Sequence, residues 1–98
     1  MIVHSLWKGA IENRVSMPTI AAEIADQYGV TVADLRGASR KKLYAEPRRH
    51  AIWLMSQQAH LSLPMIGRYM GSRDHTTILH HRDRFQALLD AEALEVAA

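Results

Sequence analysis

The chain has 98 residues, 48% of them hydrophobic, and a formal net charge of +2. That composition supports one small globular core and excludes a disordered chain or two full domains. It contains no cysteine, which excludes disulfides and thiolate metal sites and suits a reducing cytoplasm.

Residues 1–15 are the hardest to place. His4, Lys8 and Gly9 interrupt them, so they make a poor secretory signal. No apolar run in the chain approaches the ~18 residues of a membrane span. The pairs Ile2/Val3, Leu6/Trp7 and Ala10/Ile11 recur at helical spacing, which predicts an extra helix closing the core. A protein-binding helix is the alternative. Ser16-Met17-Pro18 then opens a helix, with serine as N-cap and proline in the first turn. Ile20, Ile24 and Tyr28 mark its buried face and Gly29 its end. Thr31-Val32-Ala33-Asp34 is a capping box for a turn or two ending before Gly37.

Residues 36–46 read as a basic loop closed by Pro47, followed by a helix over about 47–59 that buries Ala51, Ile52, Leu54, Met55 and Ala59. Ser62 and Pro64 start the next helix, with Leu63, Ile66 and Met70 as apolar contacts and Gly71 as stop. A last helix, from about Arg73 to Asp90, carries Ile78, Phe85 and Leu89, with Leu88 beside them. The tail 91–98 extends or frays it. No period-2 strand appears, so the fold class is all-α, with five or six short helices. Residues 1–15 are an extension, 16–90 the domain, and 91–98 a tail.

Charge is unevenly spread. Between Arg36 and Arg84 lie ten basic residues and three acids, whereas the rest holds two bases and seven acids. One part of the surface is therefore positive, and polyanions are its natural partner. A solvated surface of uneven charge is the plainer alternative.

A short helix, a glycine turn and a longer helix with a polar start is the helix-turn-helix plan, whose second helix presents its first residues to base edges. Here these are Ser72-Arg73-Asp74-His75-Thr76-Thr77. Asp accepts from cytosine N4, Arg and His donate to guanine, and a Thr methyl packs on the thymine methyl. Asp74 equally suits a helix cap. His75, His80 and His81 do not share one face at metal spacing, so no metal site is expected.

The stretch G-S-R-D-H-T-T-I-L-H-H resembles the signature of the C-terminal DNA-binding domain family of the bacterial replication initiator DnaA. S-L-P-M-I-G, A-E-P-R-R-H-A-I and V-A-D-L extend the resemblance over about residues 16–90. It implies a Trp-repressor-like helical bundle that binds double-stranded DNA as a monomer on a short asymmetric box. By position, Asp74, His75, Thr76 and Thr77 read the major groove and Arg40 enters the adjacent minor groove. Lys42, Arg48, Arg49, Arg73 and His80 contact phosphates, while Leu63 and Pro64 lie against backbone and bases. The loop residues Arg40, Lys41 and Lys42 fit such contacts on their own chemistry.

Two departures from the family weaken the electrostatic part: Glu46 stands where a base is frequent, and Ser56 where a lysine meets phosphate. Arg49, in place of an uncharged residue, offsets some of this. There is no G-x-x-x-x-G-K-[ST], so ATP chemistry is not expected, nor any cofactor. Met1 ahead of a segment outside the resemblance favours a stand-alone homologue over a fragment. The expected function is box occupancy in replication or transcription control, in the cytoplasm. The alternative is an interaction module that captures a replication or transcription factor through residues 1–15. An enzyme is not expected, because no nucleophile, P-loop or carboxylate pair is legible.

Overall fold

Ser16 caps the first helix through its side-chain oxygen, which accepts from the Thr19 N–H at 3.3 Å. This serine lies near the start of the region described by the computed structural model, residues 14–97. Apart from Arg14 and Val15, the expected helix over residues 1–15 falls outside it. Among the described residues there are five helices and no strand: α1 (Met17–Tyr28), α2 (Val32–Arg36), α3 (Lys42–Ser56), α4 (Leu63–Tyr69) and α5 (His75–Ala97). None is long and apolar enough to cross a membrane.

Helix α1 buries Ile20, Ala21, Ile24 and Ala25 and ends at Gly29, as its spacing predicts. Tyr28 is only half-buried. The Thr31–Asp34 capping box forms in both directions at 3.0 Å, and Leu35 fills the core beneath it. In front of α1, the Val15 N–H donates to Gln58 Oε1 at 2.8 Å, tying the chain entry to the far end of α3.

Helix α3 departs from expectation. It begins at Lys42, so Pro47 lies inside it and the basic loop shrinks to residues 37–41. Pro47 lacks the N–H that would bond the Leu43 carbonyl, but this defect sits near the helix start and leaves the later ladder intact. Burial of Pro47, Ala51, Ile52, Leu54 and Met55 outweighs that local penalty. The helix ends at Ser56, and Ala59, expected in the core, is exposed in the following turn.

Ser62 and Pro64 start α4 as expected, with Ile66 and Met70 buried. Gly71 (φ 77°) and Ser72 (φ 59°) then turn the chain through the left-handed region, where glycine costs nothing and serine is strained. Helix α5 starts two residues later than predicted and runs through the expected tail to Ala97. Ile78 and Phe85 enter the core, Leu89 packs on its edge, and Leu88 is largely outside.

α3 is the central helix, packed between α1 and α5. His50 lies at its middle, fully buried, stacked on Phe85 with ring centroids 4.6 Å apart. Its Nδ1 lies 3.0 Å from the Tyr28 hydroxyl, while Nε2 is buried without a partner. Burial pushes the imidazole down to about 4 from its ordinary 6.5. The unfolded chain therefore binds this proton first as pH falls. Stability is expected to drop between pH 6.5 and 4, by about 2–3 kcal/mol from this group, and then to level off. Urea midpoints at pH 7 and pH 4.5 check this: His50→Phe should lose the corresponding share of the acid-induced drop.

Candidate nucleic-acid interface

α4, the Gly71-Ser72 turn and α5 form a helix-turn-helix. The Arg73 N–H donates to the Gly67 carbonyl at 2.9 Å, holding the turn against α4. The residues that the sequence marks as base readers, Asp74, His75, Thr76 and Thr77, are all exposed at the start of α5. They are neither sealed in the core nor covered by another described segment. Ile78, directly after them, is fully buried and anchors this end of the helix.

Asp74 is also the cap of α5. Its Oδ2 accepts from the Thr76 N–H at 3.0 Å, and its Oδ1 lies 3.6 Å from His75 Nδ1. The Thr76 N–H and hydroxyl, followed by the neighbouring His75, hold the carboxyl below the usual carboxylate range. Capping and an outward-facing carboxylate thus coexist in one residue. His80 is exposed one turn beyond Thr76, on the same face.

Beside this helix start lies a cleft of about 460 Å³. It is lined by residues 36–40, by Arg48 and Arg49 of α3, and by Arg73, Thr77 and His81. Lys41, Lys42 and Arg40 are exposed next to it. Because α3 starts early, Lys41 is its N-cap and Lys42 its first residue. Pro64 is exposed and Leu63 half-buried at the start of α4.

Arg48 corrects the sequence reading. The resemblance places it on phosphate, but it is 5% exposed and its guanidinium is consumed internally. Nε donates to Leu35 O at 2.8 Å, Nη1 to Ser39 O at 3.0 Å, and Nη2 to Asp34 O at 2.9 Å and Gly37 O at 3.2 Å. Burial, with the nearby Arg73, lowers its pKa. Arg73 does related work from the other side. It donates to Met70 O, Gly37 O and, at 3.2 Å, Arg36 O, while staying half-exposed. The two arginines staple the loop that carries Arg40 to both α3 and the helix-turn-helix.

Sequence reading missed two members of this surface. Arg36 donates to Tyr69 O at 2.6 Å and lies 4.3 Å above the Tyr69 ring, linking α2 to the end of α4. No local pattern announces that pairing. His81 lines the cleft, and its register is legible: Arg73, Thr77 and His81 are four apart. Among the described residues no group of three or more His, Cys, Asp or Glu side chains could hold a metal ion.

The family model described as "Bacterial dnaA protein helix-turn-helix" matches residues 17–84. Curated relatives titled "Chromosomal replication initiator protein DnaA" are similar over most of the chain. The one from Caulobacter vibrioides is 44% identical over 77 residues, covering 79% of this chain and 16% of its own length. That from Lactiplantibacillus plantarum is 38% identical over 91 residues, covering 93% and 20% respectively. That from Ruegeria pomeroyi is 38% identical over 79 residues, covering 81% and 17%. The chain therefore spans about a fifth or less of the length of these relatives. With an exposed recognition-helix start, a stapled basic loop and this match over residues 17–84, the chain belongs to the DnaA helix-turn-helix family of DNA-binding domains.

Proposed function

We propose that the chain reads boxes like those of the DnaA initiator in double-stranded DNA, as a monomer on an asymmetric site. Asp74, His75, Thr76 and Thr77 meet base edges in the major groove, and Arg40 enters the neighbouring minor groove. Lys41, Lys42, Arg49, Arg73 and His80 supply phosphate contacts, with Leu63 and Pro64 against the backbone. One observation carries this reading: four polar side chains stand exposed together at the start of α5, beside a cleft lined by five arginines and no carboxylate.

The chain acts by occupancy on nucleoid DNA, blocking or recruiting at an origin or promoter, and uses no ATP. Chromosomal replication initiation, the role in the relatives' titles, is the setting we favour for that occupancy.

Selection of bound sequences from random duplexes, repeated at higher salt, tests the reading; an asymmetric motif is expected and a palindrome or no motif contradicts it. On the selected box, His75→Ala or Thr76→Ala is expected to cost about 1–3 kcal/mol, with little change on random duplex. Lys41→Ala or Lys42→Ala should weaken both alike and reduce the salt slope by about 0.9. Equal losses on both duplexes for the α5 variants reject base reading.

A further inference from the structure

The charge balance of the cleft is unusual for a folded interior edge. Arg36, Arg40, Arg48, Arg49, Arg73 and His81 line it, and no acid does. The hydrogen bonds made by Arg36, Arg48 and Arg73 go to backbone carbonyls, so none of those partners offsets a positive charge. Arg49 has a buried Nε with no hydrogen-bond partner.

His81 lines this cleft together with Arg48 and Arg49 from α3, Arg36 and Arg40 from the loop side, and Arg73 and Thr77, and His80, its neighbour in α5, also acts on it electrostatically. Burial and then the positive charges of Arg49, Arg73, Arg48 and His80 push its pKa down to about 4, so the ring is neutral in the free protein. An anion entering the cleft reverses the second of those causes, because it screens the arginines and attracts the proton.

The position of the cleft identifies the anion. Arg40, from the loop, and Thr77, from α5, both line it. If these enter the minor and major grooves, the strand that separates the two grooves crosses the cleft between them. We propose that His81, together with Arg49, seats one backbone phosphate of duplex DNA in this cleft, the imidazole taking up a proton from solvent as the phosphate enters. This rests on the DNA-binding reading above and extends it to a residue outside the recognition set. The contact is to the diester and therefore independent of base sequence. DNA affinity consequently rises as pH falls through the pKa of the bound form, a direction opposite to that of protein stability.

The test uses the full chain labelled at histidine nitrogens, free and bound to the selected box and to a random-sequence duplex. Imidazole shifts followed against pH are expected to show the His81 pKa rising by about three pH units in both complexes, the rise that a tenfold gain in affinity at pH 6 requires. By fluorescence anisotropy at pH 6 and fixed ionic strength, His81→Gln should bind both duplexes about tenfold more weakly. An unmoved His81 pKa, or undiminished binding by His81→Gln, overturns the proposal. The pKa is read on the parent chain, so it decides even if the variant folds poorly. Should both duplexes bind equally while raising the His81 pKa, box reading fails and the phosphate seat stands. Should neither duplex bind, both fail.

Discussion

Gly67→Ala is expected to destabilise the domain by about 3 kcal/mol and to remove duplex binding with it. The position is buried in α4, where alanine is intrinsically the better helix former, so propensity alone forecasts a gain. Packing reverses the sign. A Cβ built on Gly67 would lie 2.2 Å from the Arg73 carbonyl oxygen and 3.6 Å from Ile78 Cγ1. The first of these is backbone, and it belongs to a turn already pinned by the Arg73 N–H to Gly67 O bond at 2.9 Å. A methyl group can be accommodated only by moving α4 away from the start of α5, which breaks that bond and rotates the base-reading residues. Urea midpoints and anisotropy on one sample read both effects. Gly29→Ala supplies the control: its φ of 69° is strained for alanine, but no atom lies within 4 Å. It should cost only about 1 kcal/mol and leave duplex binding intact. Equal, small effects at both glycines would show that α4 and α5 can separate freely.

The same contrast explains what the sequence disclosed. Signals that act within a few residues were legible. Ser16, the Thr31–Asp34 box and Ser62 each form the cap that their spacing predicts. The exposed start of α5 was legible for a related reason, since a buried Ile78 at the next turn fixes which way residues 74–77 face. Signals overridden by distant packing were not. Pro47 reads locally as a helix entry, yet the helix already begins at Lys42 and takes the proline inside it. Ala59 fits an apolar period that the chain abandons at Gln57. Apart from the Arg73 bond to the nearby Met70 carbonyl, the roles of Arg36, Arg48 and Arg73 depend on carbonyls 9 to 37 residues away, with which no periodicity connects them. A basic residue near a DNA-binding motif looks the same in sequence whether it meets phosphate or its own backbone.

Arg48 separates those two roles most sharply, and Arg48→Met is expected to cost about 3–4 kcal/mol of stability. α2 is a single turn and a half, Val32–Arg36, and its last carbonyls have no partners within the helix. Arg48 answers two of them, at Asp34 and Leu35, then reaches Gly37 and Ser39 in the loop. Its positive charge at the C-terminal end of α2 also complements the helix dipole. Methionine fills much of the volume but donates nothing, leaving the Asp34, Leu35 and Ser39 carbonyls to find water in a partly closed space, while Gly37 keeps its bond from Arg73. Lysine keeps the charge without the planar fork, so Arg48→Lys should recover only a minor part of the loss. The loop carrying Arg40 loosens in both variants, and affinity for box and random duplex should fall together. The salt dependence then discriminates. Measured at low temperature, where Arg48→Met remains folded, the slope of log affinity against log salt should match that of the parent chain. A slope smaller by about 0.9 would mean that Arg48 neutralises a phosphate after all, and that its grip on the loop is released when DNA arrives.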